Sequence, residues 1–329
     1  MTPNACLKKG LPAWEFRLSA RWNSYRSRAT RPALKPQRCA LSAFWAVAQR
    51  APLRWEVEAG ADAVGGRILA DRNERLLLHP SAELTYLRQV AYDFLIAELE
   101  DLIDPDPFDS FPRHFNHLGA SLAVTAGLYS QIGGLPDVLE DEDKALYQAI
   151  LRSGARFRHS LDVRVTTSAR LDGRVEHGFS AGLRHFGSLG EQSRSLLVKS
   201  VSASETRLRA RRALRELRRE VRLNRLMTSS QVGRVARSLR ISGFWLWHEI
   251  DRPQTWGQLM ERVDLRQKVE GEWEQLWPPM FLEKAVAPLR IRLSDLRARP
   301  RKEDSAWDRI SQQQRAQLAD EDRARTSIR

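Results

Sequence analysis

Leu118-Gly-Ala-Ser-Leu-Ala-Val-Thr-Ala-Gly-Leu-Tyr129 is followed by Gly133-Gly-Leu-Pro136, by Glu140-Asp-Glu-Asp-Lys-Ala-Leu146 and by Thr166-Thr-Ser-Ala-Arg-Leu-Asp-Gly-Arg174. Small and apolar residues from Gly119 to Val124 predict a buried strand, Thr125 a cap for a short helix, and Gly133-Gly134 the stop of that helix. Leu146, Ala149 and Ile150 recur at helical spacing and predict a helix over Asp143 to Arg152. Val163, Val165 and Thr167 alternate with Asp162, Arg164 and Thr166, the period of two expected of a half-buried strand. A strand, a helix and a second strand in this order predict an α/β fold.

Outward from this stretch the pattern continues. Ala61 to Ile68 is a short buried-strand candidate. Pro80-Ser81 offers a helix cap ahead of Leu84, Leu87, Ala91, Phe94, Leu95 and Leu99, a helix running to about Ile103. Pro105, Pro107 and Pro112 each remove a backbone donor and fix φ, so Asp104 to His117 reads as a loop. Beyond Gly190 the chain reads as helical. Arg207 to Arg225 holds nine arginines around an apolar stripe of Leu208, Leu214, Leu217 and Val221, and the mixed charge, with Glu205, Glu216 and Glu220 nearby, predicts a solvated helix face.

Charge divides the chain unevenly. Residues 1 to 54 hold eleven Lys and Arg against Glu15 alone, a net +10, so the other 275 residues carry +3 of the total +13. That first segment lacks a sustained period and is broken by Pro3, Pro12, Pro32 and Pro36, which predicts poor order and little contribution to stability. Residues from Pro300 onward read as a charged tail. The expected organisation is therefore a basic segment at 1–54, an α/β domain at 55–186, a helical region at 187–299 and a tail at 300–329. A chain of 329 residues, 42% of them apolar, can bury a substantial core. No apolar run approaches the length of a membrane span, and no secretory signal is read at the N-terminus, so a cytoplasmic protein is expected. Cys6 and Cys39, distant in sequence, indicate neither a disulfide framework nor a zinc site.

Chemistry concentrates in the quoted stretch. Glu140-Asp141-Glu142-Asp143 places four carboxylates at a helix start, where unpaired backbone N–H groups favour anions; crowding also tunes a carboxylate toward service as a base. Gly119-Ala120-Ser121 offers backbone donors and a hydroxyl with little bulk, equally suited to close ligand approach and to a helix packing above. His114 and His117, beside Arg113, read first as loop histidines, because a metal wants a third ligand and firmer support.

The ordered series of motifs resembles the acceptor-side half of bacterial family 2 glycosyltransferases, over roughly Trp55 to Phe186. The resemblance implies a partial fold of the GT-A kind, a Rossmann-like mixed sheet with helices, followed here by a helical C-terminal region. It implies transfer of a sugar from a nucleotide-sugar donor to a hydroxyl acceptor, with Asp143 as general base and Glu142 in its network. It makes Gly133-Gly134 the acceptor-site turn, puts Gly119, Ala120 and Ser121 near donor or acceptor, and brings Arg113 or His114 toward the acceptor. It also implies a divalent metal, Mg or Mn, which in the family is held by an Asp-x-Asp at a strand end and completed by a histidine; His159 and His177 both match the latter role. Trp45 to Arg54, where the Asp-x-Asp belongs, contains no acid, and Asp104-x-Asp106, Asp141-x-Asp143 and Asp320-x-Asp322 do not follow a strand at the required place. One account expected for that gap is a truncated or frame-shifted gene. Two other classes stay open: a non-catalytic remnant or interaction protein, and a basic binder of nucleic acid or anionic membrane surface, for which no sequence-specific nucleic acid is expected.

Overall fold

A computed structural model describes residues 16–18, 53, 56–138, 141–173, 178–192, 194–223 and 226–298. The chain groups into two units, one of residues 1–69, 116–151 and 155–165, the other of residues 70–115, 152–154 and 166–329.

The first unit is built on a sheet of order β1-β3-β2-β4, with β1 at Phe16–Leu18, β2 at Ala63–Ala70, β3 at Leu122–Thr125 and β4 at Phe157–Thr167. β3 runs antiparallel to β1, pairing Phe16 with Thr125, and antiparallel to β2, pairing Ala63 with Val124 and Gly65 with Leu122. β4 runs parallel to β2: Asp62 N–H donates to the Arg156 carbonyl before the two strands, and Asp71 N–H donates to the Thr167 carbonyl after them. The sheet is therefore mixed, and the protein is of mixed α and β structure.

Alternation sends successive residues to opposite faces. Ala63, Leu122, Val124 and Phe157 meet Leu128 of the helix α3, Ala126–Gln131, in one cluster, with Leu146 and Ile150 of the helix α4, Glu142–Ser153. Val64, Ala123 and Val163 meet Leu53 in another. β2 carries Gly65 because a Cβ there would lie 2.7 Å from the Asn116 carbonyl oxygen, so the absent side chain lets the segment leading to β3 lie against the strand. Asn116 Oδ1 in turn accepts from Ile68 N–H at 3.1 Å.

The expected strand at Gly119 to Val124 divides in two. Gly119–Ser121 forms a single 3-10 turn and extended pairing begins at Leu122, because Leu122, not Gly119, is the first residue opposite β2. Thr125 does cap the short helix α3, Ala126–Gln131, accepting from Leu128 N–H at 3.4 Å. Gly133 and Gly134 follow it with φ of +81° and +87°, a reversal that L side chains resist. β4 starts earlier than the alternation alone suggested, at Phe157, with Val163 buried and Asp162 and Arg164 exposed as expected.

Most of residues 1–54 lie outside the described residues, and so does everything after Ala298. Two places in the first segment nevertheless belong to the fold: Phe16–Leu18 as an edge strand, and Leu53, which is 4% exposed. Lack of period does not prevent a three-residue strand or a single leucine from packing, and the expectation of poor order for the rest of the segment falls on residues outside those described.

The second unit is helical. α1 spans Arg72–Arg75, α2 Pro80–Ile103 and α5 Phe179–Glu191; α6 follows at Val201–Arg222, α7 at Ser229–Leu239 and α8 at Gly243–Glu249, then α9 at Trp256–Glu270, α10 at Glu272–Leu276 and α11 at Leu282–Arg297. β5 at Leu197–Val198 and β6 at Met280–Phe281 form a two-stranded antiparallel ribbon. The cap of α2 is His79, whose Nδ1 accepts from Ser81 N–H, with Pro80 at the first helical position. Its buried residues include Tyr92, Leu99 and Ile103, packed with Leu208 of α6 and Leu282, Leu289 and Leu293 of α11. Leu84 and Leu87, expected on the inner stripe, are 47% and 40% exposed, since at this end of α2 it is Ala82 that turns inward, toward Leu183 of α5. Leu214 and Leu217 of α6 pack with Val232 and Leu239 of α7, Leu246 of α8, and Leu259 and Val263 of α9. Among the described residues no helix is long and apolar enough to cross a membrane.

Candidate active site

α4 runs from Glu142 to Ser153 and buries Leu146, Ala149 and Ile150 against the sheet, which fixes its acidic first turn at the margin of the first unit. Asp141 enters with φ +57°, its carbonyl accepting from Ala145 N–H at 2.9 Å, while its carboxylate pairs with Lys144 Nζ at 2.9 Å. Glu140 lies outside the described residues. Glu142 is exposed and Asp143 half-buried.

Asp143 is held through both oxygens. Oδ2 accepts from Gly119 N–H at 2.7 Å and Oδ1 from Lys144 N–H at 2.7 Å. A Cβ on Gly119 would lie 2.9 Å from the Cβ of Asp143, so only glycine lets the backbone come this near. Two motifs that stand 24 residues apart thus touch directly. Each oxygen accepts one hydrogen bond here, and a carboxylate oxygen has capacity for a second, so the group keeps the ability to take a bond from an incoming hydroxyl.

Ala120 is exposed and Ser121 is buried. Gly134 N–H donates to the Tyr129 carbonyl at 2.8 Å, and Leu135 N–H to the Tyr129 hydroxyl at 3.1 Å, so the Gly133-Gly134 turn is tied to α3 through one tyrosine.

One turn along α4 from Asp143, Tyr147 stacks on His117 with ring centroids 4.1 Å apart. Phe157 meets Tyr147 edge-on at 4.9 Å and His159 at 4.8 Å, and His159 lies 6.3 Å from His117. This aromatic and imidazole group was missed from sequence. Its signal was available, because positions 143 and 147 share a helix face, but the spacing of His114 and His117 drew attention to the wrong pair. His177 lies outside the described residues.

Arg113 and His114, expected near an acceptor, belong to the second unit and are buried at 7% and 0% exposure. Arg113 pairs with Glu100 and, at 3.5 Å, with Asp109. Glu100 also pairs with Arg211 at 2.6 Å, and Asp104 takes Arg211 together with Arg215. Burial pushes the Glu100 carboxyl up, but the Arg211 and Arg113 guanidiniums outweigh it and hold the group at about 2. The loop of three prolines is therefore secured to α6 by ions.

This corrects the reading of the arginine-rich stretch as a solvated face. Arg207 pairs with Asp264, Arg212 donates to the Ile103 carbonyl at 3.1 Å, and Arg222 pairs with Asp251 at 3.2 Å. Arginines on a helix look alike in sequence, but their partners come from residues as many as 111 positions away.

Among the described residues no three His, Cys, Asp or Glu side chains gather as a metal site requires. Asp104, the first acid of one Asp-x-Asp, is 2% exposed and occupied by arginines.

Comparison with models of known families, with curated proteins and with solved structures returns no match.

Proposed function

We propose that this chain is glycosyltransferase-like, a cytoplasmic protein of partial GT-A kind that transfers a sugar from a nucleotide-sugar donor to a hydroxyl acceptor. The observation that carries this reading is the contact between Gly119 N–H and Asp143 Oδ2, which brings together two motifs of the ordered series on which the resemblance rests. In this reading Asp143 is the general base: it accepts the proton of the acceptor hydroxyl as that oxygen bonds to the sugar's anomeric carbon and the bond from that carbon to the diphosphate breaks, releasing the nucleoside diphosphate, while the backbone donors of Gly119 and Lys144 fix the carboxylate's orientation. Glu142, exposed beside it, contributes negative charge that favours the proton's arrival. The Gly133-Gly134 turn borders the acceptor.

One observation favours a second reading, a non-catalytic remnant. Both Asp143 oxygens are engaged by backbone N–H groups, which is also how an acid simply latches a turn to a helix start.

A single experiment separates the two. The purified full chain is assayed for sugar transfer from uridine, guanosine and thymidine diphosphate sugars to hydroxyl acceptors, with magnesium or manganese supplied, alongside Asp143→Asn. The transferase reading expects transfer by the parent chain and a loss of about a hundredfold or more in the variant, with donor affinity retained. Absence of transfer and of donor binding by the parent, with a lowered melting temperature for Asp143→Asn, would establish the latch.

A further inference from the structure

Arg215, Arg218, Arg219, Arg222, Leu223 and Trp256 line a groove of about 280 Å³ in the second unit. Four guanidiniums on successive turns of one helix repel each other, and such an arrangement persists only where something offsets the charge. Arg215 is offset by Asp104 and lies over the Trp256 ring, 5.0 Å from its centroid. Arg222 is offset by Asp251.

Among the described residues neither Arg218 nor Arg219 forms an ion pair with a carboxylate, and Asp251, which pairs with Arg222, offsets the Arg218 charge only from a distance. Arg218 is 4% exposed and its terminal nitrogens donate only to neutral carbonyls, those of Thr255 at 2.7 Å and of Pro253, while its Nε finds no partner. Burial, and then the Arg222 charge beside it, push the Arg218 guanidinium below its ordinary pKa. A buried cation with a donor unspent is costly, and native proteins keep one where a ligand completes it.

We propose that this groove is a binding site for a phosphate-class anion, a phosphate or pyrophosphate group on a free small molecule or on a lipid. Arginine forks match phosphate oxygens in geometry as well as charge. The size suits the anion rather than a whole nucleotide sugar, being at the lower limit of small-molecule pockets. The site stands independently of the transferase reading.

The test titrates the full chain with inorganic pyrophosphate by calorimetry at low ionic strength, and in a second arm co-sediments it with phosphatidylcholine vesicles doped with phosphatidic acid. Arg218→Ala removes bonds to two carbonyls and risks the fold, so the deciding variant is Arg219→Ala, whose side chain is exposed and unpaired among the described residues. Arg209→Ala on the same helix, whose partner Glu205 keeps Arg292, controls for loss of charge alone. Saturable pyrophosphate binding weakened about tenfold or more by Arg219→Ala, and within about twofold of the parent in Arg209→Ala, is the expected result. The same pattern seen only with vesicles assigns the phosphate to a lipid headgroup. Binding in neither arm, or equal losses in the two variants, overturns the site.

Discussion

Asp93 in α2 has no arginine to offset its burial, and the carboxyl is pushed up from 3.8 to about 7. The folded chain therefore holds a proton that the unfolded chain has released over that interval, so this group's contribution to stability is fully present below 3.8 and is lost as pH rises through about 7. Asn in its place carries no such penalty. Asp93→Asn is expected to raise the melting temperature at about pH 8 and to leave it unchanged near pH 4, a pattern that melting curves across the range would reveal; a gain independent of pH would mean that the aspartate is not held uncharged. Glu100 lies on the same helix and shows the opposite outcome, held at about 2 because Arg211 and Arg113 face it. Neighbours from distant parts of the chain decide between the two cases, and α2 itself gives no hint of which acid receives them.

At the level of elements, much was readable because the signals are local. Thr125, read as a cap from sequence, accepts a backbone N–H three residues on, and Ser200, Thr228 and Thr255 cap the helices that follow them in the same way. Thr228 does so reciprocally: its Oγ1 accepts from Gln231 N–H at 3.3 Å while Gln231 Oε1 accepts from Thr228 N–H at 2.9 Å. Thr228→Ala is expected to cost about 1 kcal/mol in denaturant unfolding, and Thr228→Ser to recover most of it. Equal stability of the alanine variant would show that water replaces the cap without loss. Local signals failed where packing intervened. The apolar stripe of α2 was drawn through Leu84 and Leu87, whereas the helix buries Ala82 there, and the start of β3 moved from Gly119 to Leu122 because strand pairing begins only where a partner stands opposite.

Across the whole molecule, each unit has its own interior. Ile150 and Leu214 are both fully buried, the first among Leu122, Leu146 and Phe157, the second among Leu217, Leu239 and Leu259, and the two clusters share no residue. Ile150→Ala and Leu214→Ala should each cost about 2 to 5 kcal/mol, as emptied core sites do. In the double variant the costs should add to within about 0.5 kcal/mol, measured by denaturant unfolding of all four proteins. A larger departure would mean that the interiors are coupled.

The sequence by itself determined the periods, the caps and the glycines of this protein: the helix over Leu146 and Ile150, the alternation through Val163, the glycines at Gly65 and Gly119 that allow close approach, and the acidic start of α4. These follow from forces acting over a few residues, on which propensity and spacing report directly. Tertiary structure alone decided how the charges are used. It buried Arg113 and Arg218, secured Asp104 between Arg211 and Arg215, and set His117 against Tyr147. An ion pair or a ring contact depends on which distant residue the fold brings within a few ångströms, and the order of residues along a chain does not state that distance.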